Sequence, residues 1–191
     1  IGVACGLSLE VIQKGIQNFR SVPGRFELIH EGQEFTVVVD YAHTEDALAR
    51  LLTAAHVLKK GRILTVFGCG GDRDRGKRPK MGRVAAKSSD LVFVTSDNPR
   101  TEAPLAILQD IELGMVDLSE LQRKAYRLIS DRREAILAAI QEAMSQDMVL
   151  IAGKGHEDYQ IVGAEKLHFD DREVAREALR SRMMRRKRPI E

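Results

Sequence analysis

Four short stretches hold the residues best equipped for chemistry in this 191-residue chain: Asp40-Tyr41-Ala42-His43, residues 68–78, Asp97-Asn98-Pro99-Arg100 and Gly153-Lys154-Gly155-His156-Glu157. Residues 97–100 put an acid, an amide and a guanidinium on one proline-fixed turn. Arginine offers a bidentate fork to a carboxylate and aspartate accepts from an ammonium, so the turn suits a zwitterion. Asn-Pro is also ordinary turn chemistry. In residues 153–157 two glycines permit close backbone approach to a ligand, while Lys154, His156 and Glu157 bring charge of both signs. Ligand positioning fits this loop better than catalysis by His156. His43, a lone histidine at a strand–helix junction, more often serves as a structural hydrogen-bonding residue than as a catalyst.

The segment from Gly71 to Lys77 spells G-x-x-x-x-G-K, yet Arg78 stands where a phosphate-binding loop needs Ser or Thr to hold Mg²⁺, and charged residues fill the loop interior. A dinucleotide fingerprint fails as well, because Arg73 occupies the position of its third glycine. What remains is a glycine-permitted turn presenting Arg73, Arg75, Lys77 and Arg78 to a carboxylate or phosphate. The plainer alternative is a solvated charged turn. His30, His56 and His168 lack neighbouring metal ligands, no Ser/His/Asp or Cys/His set can be argued from spacing, and Cys69 is as well explained by a small turn residue as by a nucleophile.

The elements needed to hold these loops follow from periodicity. Leu9, Ile12 and Ile16 recur at near-helical spacing before a candidate linker at residues 21–24. A hairpin is expected from residues 26–29 and 35–40, turning at Glu31-Gly32. Thr44 caps a helix with an apolar stripe of Leu48, Leu51, Leu52, Ala55 and Leu58. Strand 63–67, helix 79–87, strand 91–95, helix 104–113, a mixed segment to 130, a helix over 131–144 and strand 148–151 give βαβ alternation. Strand-like 159–162 and 166–169 precede a final helix at 172–179. The fold class is therefore α/β: a Rossmann-like, doubly wound, mostly parallel sheet with an N-terminal hairpin as its antiparallel edge. In such sheets ligands gather outside the carboxyl ends of the strands, where all four chemical loops fall.

Composition narrows the function classes. With 43% hydrophobic and 30% charged residues the chain is an ordinary globular domain. Its apolar runs are far shorter than the roughly 20 residues of a membrane span. Two cysteines make no disulfide framework and point to a reducing compartment. The last twelve residues carry six basic side chains and one acidic, within a total of only +2, so a mildly acidic body ends in a basic tail. With no Trp and nine Phe plus Tyr there is no stacking platform for nucleic acid, and the tail reads as a solvated, frayed terminus. A first residue of Ile and the lack of a secretory signal suggest a piece of something longer.

Taken in order, Pro23-Gly24-Arg25-Phe26-Glu27, Asp40-Tyr41-Ala42-His43-Thr44, residues 68–79, Asp97-Asn98-Pro99-Arg100, Asp131-Arg132 and residues 153–160 resemble the C-terminal part of the Mur ligases, in particular the type that adds 2,6-diaminopimelate. The resemblance covers residues 1 to about 180. It implies an ATP-dependent ligase of peptidoglycan synthesis, cytoplasmic and monomeric, with no nucleic-acid or membrane partner. In the family the carboxylate of a UDP-N-acetylmuramoyl dipeptide is phosphorylated, and the incoming amine attacks the acyl phosphate. Residues 1–22 would then be the end of a central ATPase domain plus linker, residues 23–180 the amino-acid-binding domain, and residues 181–191 the basic tail. The family's phosphate-binding loop and Mg²⁺ ligands belong to the central domain. The resemblance therefore implies ATP and Mg²⁺ in the full-length enzyme, no catalytic residue or metal site here, and no turnover by this chain alone.

Carried over position by position, the resemblance puts Arg73, Asp97, Asn98, Arg100, Gly153 and Glu157 in the meso-diaminopimelate pocket. Arg73, Asn98 and Arg100 would take the distal carboxylate, and Glu157 with the Gly153 backbone the distal amine. Arg25, Asp40, Tyr41 and His43 would lie on the ATP side, Asp40 toward the ribose and Arg25 toward the base or phosphates. Arg100 marks diaminopimelate over L-lysine, which lacks the second carboxylate. Thr44-Glu45-Asp46 departs from the common Thr-Pro-Asp without touching a ligand. The alternatives are a lysine-adding ligase, a folylpolyglutamate synthase relative, and a non-catalytic anion- or nucleic-acid-binding module.

Overall fold

The computed structural model describes residues 1–18, 22–116 and 125–186. Six strands form one sheet: β1 (Glu27–Leu28), β2 (Thr36–Asp40), β3 (Ile63–Cys69), β4 (Leu91–Ser96), β5 (Ala125–Leu128) and β6 (Met148–Ala152). Their order across the sheet is β1-β2-β6-β3-β4-β5. Only β1 runs antiparallel to its neighbour, pairing Glu27 with Val39 and Leu28 with Val38; the other pairings are parallel. A separate antiparallel hairpin, β7 (Tyr159–Val162) and β8 (Glu165–His168), follows β6.

Helices α2 (Glu45–Leu58), α3 (Lys77–Ser88) and α4 (Pro104–Val116) cover one face, and α5 (Arg132–Glu142) and α6 (Asp171–Arg186) the other. The two-residue period of a strand sorts the side chains. Ile63, Phe67 and Cys69 of β3 join Leu48, Leu52, Met81 and Ile107 in one core, while Leu64 and Val66 join Ile136, Ile140 and Leu179 in the other. Being covered on both sides, β3, β4 and β6 are buried along their whole length. Thr44 and Asp131 cap α2 and α5, accepting from the Ala47 and Glu134 amides at 3.3 and 2.9 Å. Because the chain leaves β3 for α3 on one face and leaves the adjacent, parallel β6 for the hairpin and α6 on the other, the crevice of a doubly wound sheet opens between their carboxyl ends.

The doubly wound class and the elements are as the periodicity predicts, with differences at their ends. The mixed segment to residue 130 contains a strand, β5, invisible to pattern because its four residues are mostly exposed at the sheet edge; residues 117–124 of that segment lie outside the described part. Strand β3 runs two residues past its predicted end, taking in Gly68, where a Cβ would lie 2.2 Å from the Thr95 carbonyl. Leu58 is exposed rather than part of the apolar stripe. Helix α6 continues to Arg186, so the basic stretch begins as helix and not as a frayed tail, with residues 187–191 outside the described part. In the candidate linker Ser21 lies outside it too, and Val22 to Arg25 form a tight turn with Gly24 at φ +68°. Helix α1 (Leu9–Asn18) buries no residue. Among the described residues no helix is long and apolar enough to cross a membrane.

Candidate functional site

The loops leaving β3 and β4 are fastened to each other. The Gly71 amide donates to the Asn98 carbonyl at 2.8 Å, and the Arg100 guanidinium donates back to the Gly71 carbonyl at 2.8 Å. Contact is close enough that a Cβ on Gly71 would stand 1.9 Å from the Pro99 carbonyl oxygen. Asp72 and Arg100 both hold left-handed backbone conformations, φ +52° and +53°, unusual for residues with a Cβ. Side chains hold them there: Asp72 accepts from the Thr101 amide and hydroxyl at 3.2 and 2.8 Å, and its own amide donates to Glu102 at 2.6 Å. The result brings Arg73 and Arg100 together over Gly70, where a Cβ would lie 3.8 Å from Arg73 Cγ and 2.9 Å from Arg100 Nη1.

Of the four cations expected to face a ligand from residues 68–78, three are otherwise engaged. Arg78 is fully buried, donating to Glu102 at 2.7 and 2.8 Å and to Asp110 at 2.9 Å. Arg75 pairs with the same Asp110 at 2.9 Å, and Lys77 donates to the His43 carbonyl at 3.0 Å. The arginine that looked like a displaced P-loop serine thus serves as a buried anchor between α3 and α4. Arg73 stays exposed and, among the described residues, donates only to the neighbouring Asp72 carbonyl at 3.2 Å. Cys69 is a buried strand residue rather than a turn residue, its thiol pushed up to about 12 by burial, and so is no nucleophile.

Across the crevice the loop after β6 packs on the turn at Gly24. A Cβ on Gly24 would meet the His156 amide at 2.1 Å, and one on Gly155 would meet the Gly24 carbonyl at 2.7 Å, so both positions require glycine. The Gly153 amide is taken by the Asp40 carbonyl at 3.0 Å. Glu157 comes within 3.4 Å of both the Tyr41 hydroxyl and Asn98 Nδ2, which draws the 153–157 loop to the 97–100 loop. The hairpin completes the joint: the Arg100 amide donates to the Ile161 carbonyl at 3.0 Å, and Gln160 Nε2 to the Asp97 carbonyl at 2.7 Å.

Beside these lies a second group. Arg25 stacks its guanidinium 4.6 Å from the Tyr41 ring centre, with His43 edge-on at 4.6 Å and His156 tilted at 5.2 Å. Burial and the nearby Glu157 carboxylate raise the Tyr41 phenol. Asp40 is directed inward to the chain: its two carboxylate oxygens accept from the Phe26 and Ala42 amides, each at 2.8 Å. His43 Nδ1 contacts the Tyr41 carbonyl at 2.9 Å.

Two residues that the sequence analysis names without a role prove to be buried anchors. Lys154 is fully buried beneath Asp97 and Asn98, its ammonium 3.2 Å from Asp97 Oδ1 and 3.0 Å from Asn98 Oδ1. Burial lowers its pKa, opposed by Asp97. Arg132, equally buried, donates to Asp171 at 2.7 and 2.8 Å and to the Ser96 and Ala152 carbonyls at 3.3 and 3.0 Å, tying together the carboxyl ends of β4 and β6. Nothing in an isolated lysine or arginine signals burial; the only sequence clue was their place in or beside the loops that follow strands. Among the described residues no group of three or more His, Cys, Asp or Glu gathers to hold a metal. A cavity of about 720 Å³ at the start of α5 is lined partly by Ser96, Pro99, Asp131 and Gln160 and includes none of Arg73, Asn98, Arg100 or Glu157.

Donors for an anion (Arg73, Arg100, Asn98 Nδ2) thus stand near an acceptor for a cation, Glu157, which Asn98 Nδ2 approaches to 3.4 Å. The family model for the Mur ligase glutamate ligase domain matches residues 24–155. The chain belongs to the Mur ligase family. It is 55% identical over 185 residues to a Gloeobacter violaceus protein named UDP-N-acetylmuramoyl-L-alanyl-D-glutamate–2,6-diaminopimelate ligase, covering 96% of this chain and 37% of that one. A protein of the same name from Geobacter sulfurreducens is 52% identical over 191 residues, covering 94% and 38%. A solved structure of that ligase superposes with a TM-score of 0.78 at 39% identity, covering 94% of this chain and 36% of it. A Yersinia pestis folylpolyglutamate synthase/dihydrofolate synthase superposes at 0.60 with 25% identity, over 78% and 32%. The chain therefore spans a little over a third of the length of the curated relatives it matches. Within Mur ligases this places it in the portion that carries the C-terminal α/β domain.

Proposed function

We propose that residues 23–180 form the amino-acid-binding domain of an ATP-dependent ligase that joins meso-diaminopimelate to UDP-N-acetylmuramoyl-L-alanyl-D-glutamate in peptidoglycan synthesis. The observation that carries this reading is the two-signed mouth of the crevice. The far end of meso-diaminopimelate is itself an amino acid, needing donors for its carboxylate and acceptors for its ammonium. Arg73, Arg100 and Asn98 Nδ2 supply the first, Glu157 with the Gly153 backbone the second. Arg100, held left-handed by the joined loops, loses little further backbone freedom on binding. A ligand without the distal carboxylate would forfeit the charge-assisted hydrogen bonds to these guanidinium groups, each worth about 1.5–3 kcal/mol.

ATP supplies the phosphoryl group that activates the dipeptide carboxylate. On this chain Arg25, Tyr41 and His43 offer a cationic and aromatic face able to hold a nucleotide base or phosphate, and Asp40 supports that face by fastening the Phe26 and Ala42 amides. Mg²⁺, which accompanies ATP in the family, finds no cluster of three or more His, Cys, Asp or Glu among the described residues. The chain's own contribution is to orient the amine: gripping the distal zwitterion leaves the near amino group to project from the crevice toward an activated carboxylate. Titration calorimetry of Arg100→Ala tests the reading. The variant should lose at least tenfold in affinity for meso-diaminopimelate while its affinity for ADP stays within twofold; unchanged diaminopimelate affinity would refute it.

A further inference from the structure

Asn98 carries an amide whose two ends offer opposite chemistry, a carbonyl that only accepts and an NH₂ that only donates. Two neighbours decide which end goes where. The backbone amide of Ile161 points at one end from 2.9 Å, and the Lys154 ammonium points at the same end from 3.0 Å. Both are donors without acceptor capacity, so the atom they meet must be Oδ1. The NH₂ is then turned to the other side, where Glu157 Oε2 lies 3.4 Å away at the mouth of the crevice. Reversing the amide would set NH₂ against an N–H and an ammonium in a buried place, with no acceptor for either.

The surroundings of Lys154 explain why a cation can be kept there. Its side chain is fully buried, its third contact is the Tyr159 carbonyl at 2.7 Å, and Asp97 lies 3.2 Å away as counter-charge. Two of the three ammonium N–H groups go to Asn98 and Tyr159, and the third is left for the buried Asp97 Oδ1 at 3.2 Å. Lys154 therefore uses its donors to fix neighbours rather than to face the crevice.

We propose that Lys154 is a positioning residue for the amino-acid pocket: it locks the Asn98 amide so that NH₂ faces the ligand, giving the pocket a donor for the distal carboxylate in place of a carbonyl that would repel it. The proposal rests on the diaminopimelate reading above, and it is stated of an atom that can be observed without ligand. In the isotope-labelled 191-residue chain, a scalar coupling across the hydrogen bond from Ile161 N–H to the Asn98 side-chain carbonyl carbon reports the orientation directly. The coupling should be present in the native chain and measurably weakened in Lys154→Met, where the Ile161 amide alone is left to hold the oxygen, with meso-diaminopimelate affinity down at least tenfold and ADP affinity within twofold.

A second variant does not depend on how Lys154→Met folds. Asn98→Asp keeps the oxygen that Lys154 and Ile161 require and turns a charged acceptor to where NH₂ stood, 3.4 Å from Glu157; with its Ile161 coupling and melting temperature at native values, it should lose at least tenfold in meso-diaminopimelate affinity. A coupling that persists unchanged in Lys154→Met, or native affinity in Asn98→Asp, would overturn the proposal. If the native chain shows the coupling but binds no meso-diaminopimelate, the functional reading fails instead, and the coupling in Lys154→Met still decides the orienting role.

Discussion

Glu102 joins two jobs that the sequence keeps apart. It receives both terminal nitrogens of the buried Arg78, and it accepts the amide of Asp72, the residue whose left-handed backbone turns Arg73 outward. The Arg78 hydrogen bonds, then the Asp72 amide, hold its carboxyl well below the usual 4.5, at about 2. A carboxyl lowered on folding contributes stability that is complete above its unfolded value and disappears as pH falls through the folded one. This contribution should therefore be lost between about pH 4.5 and 2. Asp110, Asp147 and Asp170 are lowered too, so the native chain should melt at steadily lower temperature across that window. Glu102→Gln should melt lower at pH 7 and show a shallower fall toward pH 2; an unchanged slope would remove Glu102 from the joint. None of this was legible from Gly68 to Arg78 alone. Spacing suggested four outward cations, and the burial of Arg78 depends on Glu102 and Asp110, which reach it only once α3 and α4 pack.

Those helices approach through glycine. A Cβ on Gly114 of α4 would stand 1.7 Å from the Pro79 carbonyl, and one on Gly82 of α3 2.2 Å from that of Ile111. Gly114→Ala should force the helices apart and cost about 1–3 kcal/mol or more in urea denaturation, as overpacking does. Because α3 carries Arg78, the same variant should weaken the loop joint and with it amino-acid binding. On the opposite face the buried Arg132–Asp171 pair links α5, α6 and the ends of β4 and β6. Arg132→Met leaves a buried carboxylate unpaired and should cost about 3–5 kcal/mol, whereas Arg132→Met with Asp171→Leu should recover most of it. A double variant no more stable than the single would show that the carbonyl contacts of Arg132, and not the ion pair, hold these ends. Helices and buried strands were readable because their apolar periods are long; β5 was not, since a four-residue edge strand has no buried face to print in the sequence.

A doubly wound sheet brings distant segments together at one end, which is why residues 25, 41, 73, 97–100 and 153–157 can share a crevice despite lying far apart in the chain. The alternation of strands and helices predicted that gathering, and the resemblance to Mur ligases named the residues; what neither carried was the layer beneath, Lys154, Arg132 and Glu102, whose partners are set by packing. Asp40 shows the converse, a polar residue in the expected place whose carboxylate is taken up by its own backbone. The most direct test of a diaminopimelate pocket is an NMR titration of the 191-residue chain with meso-diaminopimelate and, at equal concentration, L-lysine. Saturable shifts at Arg73, Asn98, Arg100 and Glu157 with meso-diaminopimelate, and none with L-lysine, are predicted. Equal response to both ligands, or shifts centred on the cavity at the start of α5 instead, would contradict it.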